Sequence, residues 1–173
     1  EVDSKPLSLI LRDLNHYSTN FIAEQILLAV SKNSNGIMNR ERGLGVLNKV
    51  AKQIPGGKSS MIHDASGLSH DNRLTASFLS SLLAIIAKDP NNFVPLIYSL
   101  SQYGKSGTLK TRRAVSSQNV FAKTGSIDGV RTLAGYIYDK NQQMMTFALL
   151  QNNVGSASEA LTREDQFLNL IVK

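Results

Sequence analysis

The chain has 173 residues, 42% of them hydrophobic, no cysteine and a formal net charge of +6. That length suffices for one domain with a buried core, the lack of cysteine excludes a disulfide framework and thiolate chemistry, and no apolar run reaches the roughly 18 to 20 residues that cross a bilayer. The positive charge raises nucleic acid as a partner, but the basic residues are scattered. Their densest cluster, Lys105, Lys110, Arg112 and Arg113, has no interleaved aromatics on which bases stack, so it reads as a solvated basic loop and not as a nucleic-acid site.

Pro6 opens an amphipathic helix with Leu7, Ile10, Leu11 and Leu14 on one stripe, ending near Asn15-His16-Tyr17. The run 21–30 is so apolar that it reads as a buried helix, with Ser18 or Asn20 available to cap it. A third helix spans 40–54, with Leu44, Leu47, Ala51 and Ile54 on one face and Pro55-Gly56-Gly57 as its stop. Segment 61–68 is extended and enters a polar loop, Ser66-Gly67-Leu68-Ser69-His70-Asp71-Asn72. Thr75 then caps a helix carrying Phe78, Leu79, Leu82, Leu83 and Ile86, stopped by Asp89-Pro90.

Residues 92–100 form another helix, kinked or begun at Pro95, and 101–117 a long basic loop. Three antiparallel strands follow at 119–123, 130–138 and 144–151, the last two joined through Asp139-Lys140-Asn141-Gln142. Ser156-Ala157-Ser158-Glu159 is a capping box, and the helix after it, with Leu161, Phe167, Leu168 and Ile171, covers one sheet face. Helices first, then strands and a terminal helix, make an α+β pattern: about 1–117 mainly helical, about 118–173 strands plus the helix.

Two familiar chemistries are absent. His16, His63 and His70 lack metal-ligand spacing, so no metal site is expected. Gly57-Lys58-Ser59 and Gly104-Lys105-Ser106 look like the end of a phosphate loop, but Lys52 and Ser99 stand where its first glycine belongs.

What remains is a pair of short motifs in a fixed order, Ser18-Thr19-Asn20 and Lys123-Thr124-Gly125. The second sits at the end of the first strand, where backbone groups, an ammonium and a hydroxyl together suit an extended peptide with a terminal carboxylate. Each has an ordinary alternative: helix capping for Ser18 and Asn20, and a strand with one exposed lysine for the other. Together they are two of the three signatures of penicillin-interacting serine enzymes. With their flanks, Tyr17 through Gln25, Asp64-Ala65-Ser66-Gly67-Leu68-Ser69 and Ala122 through Ser126, they resemble the D-Ala-D-Ala carboxypeptidase/endopeptidases of the penicillin-binding protein 4 type, and the resemblance covers nearly the whole chain.

That resemblance implies a β-lactamase/transpeptidase-like fold, with a helical subdomain packed on an antiparallel sheet and the site between them. It implies a periplasmic bacterial enzyme without a cofactor, acting through an acyl-enzyme on peptidoglycan peptides ending in D-Ala-D-Ala and trapped by β-lactams. Ser18 would lie in the proton relay and Asn20 would bond the substrate amide. Lys123 would supply positive potential, Thr124 would bind the terminal carboxylate, Gly125 would leave room for it, and the Ser126 N–H would serve the oxyanion. For Ser66, with Asp64 and Ser69, a place in the site competes with a loop held by its own hydrogen bonds.

The family nucleophile lies in Ser-x-x-Lys, and none of these 173 residues is a serine with lysine three positions later. The chain is therefore expected to be the C-terminal portion of a longer enzyme, inactive alone, with an open sheet edge that binds the missing N-terminal part or a second copy. The alternative from a different class is a non-catalytic peptidoglycan or β-lactam binding module.

Overall fold

A computed structural model describes residues 3–115 and 119–172. Five helices come first: α1 (Leu7–Tyr17), α2 (Asn20–Val30), α3 (Arg40–Gln53), α4 (Ala76–Ile86) and α5 (Pro90–Ser99). A two-residue strand β1 (Ser101–Gln102) and a 3-10 turn at Gly107–Leu109 lead to β2 (Val120–Ile127), β3 (Val130–Tyr138), β4 (Met144–Asn152) and α6 (Ala157–Ile171). The sheet has the order β1-β2-β3-β4 and is antiparallel throughout. The fold class is α+β, as the order of elements implied.

The sheet is the middle of three layers. Val120, Ala122, Leu133, Ile137 and Phe147 point to one face, where Leu168 of α6 closes the core together with Tyr103, Leu109 and Val115. Alternation sends their neighbours to the other face. There the Tyr136 ring meets Phe93 of α5 edge-on at 5.1 Å and its hydroxyl donates to the Leu83 carbonyl of α4 at 2.9 Å. Burying an aliphatic side chain such as Leu168 contributes about 1.5–3 kcal/mol, so this double coverage is what holds the strands.

Several expectations need correction. The sheet has a fourth strand, β1, inside the segment expected to be loop, because Ser101 and Gln102 pair with Ala122 and Phe121. Residues 116 and 117 of that segment lie outside the described ones. β2 runs on to Ile127, so Lys123-Thr124-Gly125 occupies its middle, paired with Ala134, Leu133 and Thr132. Asp128 and Gly129 alone turn β2 into β3, with Gly129 at φ +68°. Helix α5 starts at Pro90, capped by Asp89, and Pro95 lies within it.

The 21–30 helix is also less buried than its composition implied. Leu27 is its one buried residue, Phe21 is 71% exposed, and α2 crosses α3 where a Cβ on Gly43 would stand 2.6 Å from the Leu27 carbonyl oxygen. Gly43 is what lets the two backbones approach.

The basic loop is not wholly solvated. Arg112 is buried against α6, where it donates to Glu164 at 2.6 Å, to Asp165 and to the Leu161 carbonyl. Its guanidinium lies over the Tyr103 ring, 5.5 Å from the centroid, and the Tyr103 hydroxyl donates to Asp165 at 2.7 Å. Burial works against the Arg112 charge, but the bonds to Glu164 and Asp165 outweigh it and raise the pKa. Arg113 remains exposed.

Candidate active site

Ser18 ends α1 in the left-handed conformation, φ 53° and ψ 49°, with its N–H on the Leu14 carbonyl. An L-residue there costs roughly 1–2 kcal/mol, and such outliers gather at functional sites. Neither candidate cap is a cap: Thr19 stands at the N-cap of α2 without a side-chain bond, and Asn20 is already helical. Both Ser18 and Asn20 are exposed, at the junction where α1 turns into α2.

From the sheet, Lys123 reaches that junction. Its Nζ donates to Ser18 Oγ at 2.8 Å, across 105 positions in sequence, and to the Thr124 carbonyl at 2.5 Å. Burial holds the lysine below its ordinary pKa of 10.5, and among the described residues no carboxylate forms an ion pair with it. With its oxygen accepting from a cation, Ser18 keeps its own O–H for another acceptor. Lys123 therefore offers positive charge that no carboxylate among the described residues compensates.

Thr124 faces the opposite way along the strand and its hydroxyl donates to Thr108 Oγ1 at 2.8 Å. Gly125 is glycine for a reason internal to the sheet, since a Cβ would lie 2.3 Å from Thr132 Oγ1 on β3. Ser126 follows, exposed.

Ser66 is placed by a separate network. Asp64 accepts from Ser66 Oγ, from the N–H groups of Gly67, Leu68 and Ser69, and from Asn72 Nδ2. Burial alone would raise the Asp64 pKa, but these donors overcome it and hold the carboxyl below 3.8. Glu24 ties the loop to α2, accepting from the N–H groups of Ala65 and Ser66 while pairing with Arg40. Asn20 and Glu24, four apart, share a helix face. The loop is thus anchored one turn along from Asn20, but the Ser66 hydroxyl itself is spent on Asp64.

The structure therefore joins Ser18, Lys123 and Thr124, adds Thr108, and leaves Ser66 on a supporting loop. Glu24 and Thr108 escaped notice in the sequence. An acid within an apolar helix, four residues past Asn20, was a readable signal for Glu24; nothing near Thr108 distinguished it.

Helices packed on a four-stranded antiparallel sheet make an α+β fold of the β-lactamase-like kind. An extended-spectrum β-lactamase, TLA-1, shares that fold, with a TM-score of 0.64 over 96% of this chain and 64% of its own at 18% identity. The chain belongs to the D-Ala-D-Ala carboxypeptidase 3 (S13) family, whose model matches residues 1–172. It is 36% identical over 167 residues to carboxypeptidase DacB of Mycolicibacterium smegmatis, spanning 90% of this chain and 35% of that protein. A crystal structure of penicillin binding protein 4 (dacB) from Haemophilus influenzae, complexed with a β-lactam, matches with a TM-score of 0.84 and 27% identity, over 98% of this chain and 42% of that one. The chain thus spans about a third of the length of the curated relatives it matches.

Proposed function

We propose that these residues form the Ser-x-Asn and Lys-Thr-Gly half of a serine D-Ala-D-Ala carboxypeptidase/endopeptidase site that acts on peptidoglycan peptides and binds β-lactams. The observation that carries this reading is the Lys123 Nζ to Ser18 Oγ hydrogen bond, which unites two motifs 105 residues apart at an exposed position. Acyl transfer needs an activated nucleophile, donors for the oxyanion and a proton route to the leaving amine. Ser18, polarised by Lys123, supplies that last route, and Asn20 binds the amide of the peptide.

Lys123 and Thr124 hold the terminal carboxylate, Gly125 gives it access to the strand, and the Ser126 N–H joins the oxyanion hole. The nucleophile and its base come from a Ser-x-x-Lys segment outside these 173 residues. Loss of a nucleophile and base costs about 10⁶ in rate in a comparable serine hydrolase, so these residues alone do not turn over. The outer edge of β4 has no strand partner among the described residues, and an open edge recruits one. The completing segment, or a second copy, docks there. The setting is the bacterial periplasm, and no described helix is long and apolar enough to cross a membrane.

The test is to incubate the chain with a fluorescent penicillin, denature it, and measure label and intact mass. The expected result is no covalent label, while unlabelled benzylpenicillin raises the melting temperature of the wild type but not of Lys123→Met. Covalent label would reveal a nucleophile within the 173 residues. A thermal shift that Lys123→Met leaves intact would remove this lysine from the site.

A further inference from the structure

Thr124 can bind a carboxylate only by donating its hydroxyl proton, yet in the unliganded chain that proton is already given to Thr108 Oγ1 at 2.8 Å. The oxygens behind this bond form a row. Ser101, fully buried on β1, accepts the Thr108 N–H at its Oγ, 3.1 Å away, and its Oγ lies 3.3 Å from Thr108 Oγ1. Thr108 stands on the 3-10 turn, and that turn is held tightly: Gly107, at φ +56°, passes so close to Ser101 that a Cβ would fall 2.0 Å from its Oγ. Four residues beyond Thr108, Arg112 clamps the same segment to Glu164 and Asp165 of α6. Thr108 is thus an exposed residue beside Thr124, with a fixed backbone and a hydroxyl backed by a buried one.

We infer that Ser101, Thr108 and Thr124 form a three-hydroxyl relay that reverses when a carboxylate binds, and that Thr108 is the positioning residue that makes Thr124 a donor. A hydroxyl has one proton and two lone pairs. With ligand bound, Thr124 donates to the carboxylate, Thr108 turns its proton onto the vacated Thr124 oxygen, and Ser101 donates to Thr108. Each bond polarises the next, and the last is charge-assisted. No proton changes owner. This inference rests on the reading of Lys123 and Thr124 as the carboxylate site, and it explains why that threonine needs a partner that can both accept and donate.

The test compares an N-acetylated Lys-D-Ala-D-Ala peptide with its C-terminal amide, binding each to the chain by chemical-shift titration. Wild type should prefer the acid. In Thr108→Val, which keeps the shape and loses the hydroxyl, affinity for the acid should fall about threefold or more, the scale of one neutral hydrogen bond, while affinity for the amide stays the same. Thr108→Ser should restore the preference, and circular dichroism should show all variants folded. Equal losses for acid and amide, or an undiminished acid preference in Thr108→Val, would overturn the relay alone. A wild type indifferent to the acid would overturn the carboxylate site itself, and the relay with it.

Discussion

Two cations in this molecule show opposite ways of holding a charge inside a protein. Arg112 has two carboxylates, a carbonyl and an aromatic face around it, and its pKa rises. Among the described residues Lys123 has a hydroxyl and a carbonyl as partners, and burial lowers its pKa. The first is complete and joins the 101–112 segment to α6. The second has no carboxylate partner among the described residues. The contrast separates the sequence's densest basic cluster, whose Arg112 already has its carboxylates, from the lysine on β2 that we propose as the anion site.

The comparison breaks most readily at Arg112. Replacing it with Leu leaves Glu164, 2% exposed, as a buried charge without its partner, and removing one member of a buried pair costs about 3–5 kcal/mol. Urea denaturation should show that loss; a change within ±0.5 kcal/mol would mean that the cluster is not structural.

A smaller effect is expected at Asp64, which resembles Arg112 in being fully satisfied. Asp64→Asn replaces an acceptor of five donors by an amide that can accept at only one oxygen, at a cost of about 1–3 kcal/mol. Because the folded pKa lies below 3.8, the carboxylate's contribution is present above that value and lost as pH falls through the folded pKa. The variant should lack this acid-side decline, and an unchanged decline would assign it to other carboxyls.

The smallest effect is at Lys123 and has the opposite sense. Its folded pKa is depressed, so the unfolded chain binds more protons in the window just below 10.5, and stability rises with pH there. Lys123→Met should flatten that rise without lowering stability at neutral pH. A loss at neutral pH would show that Lys123 stabilises the fold as Arg112 does.

The elements whose causes are local were legible. Thr75, Asp89 and Ser156 cap or stop helices where the sequence says they should, with Ser156 Oγ accepting the Glu159 N–H, and the strands of the β3–β4 hairpin fall within a residue of their expected limits. Capping, turn chemistry and period-two patterning act over a few residues, so they are written locally. The two short motifs, Ser18-Thr19-Asn20 and Lys123-Thr124-Gly125, could be picked out locally as well, and the structure links them through the Lys123 to Ser18 hydrogen bond. Less so was the role of each residue: Ser18 reads as a cap until its left-handed backbone is seen, and Phe21 reads as core.

By itself the sequence determined the α+β order, the antiparallel strands and the two short motifs that the fold brings together. Only the tertiary structure decided that Lys123 reaches Ser18, that Thr108 backs Thr124, that Ser66 serves Asp64, and that Arg112 is buried. The reason is physical. Each of those facts is an electrostatic or hydrogen-bonded pairing between groups whose local sequence is compatible with many partners, and the partner is chosen by which surfaces the packed layers bring together.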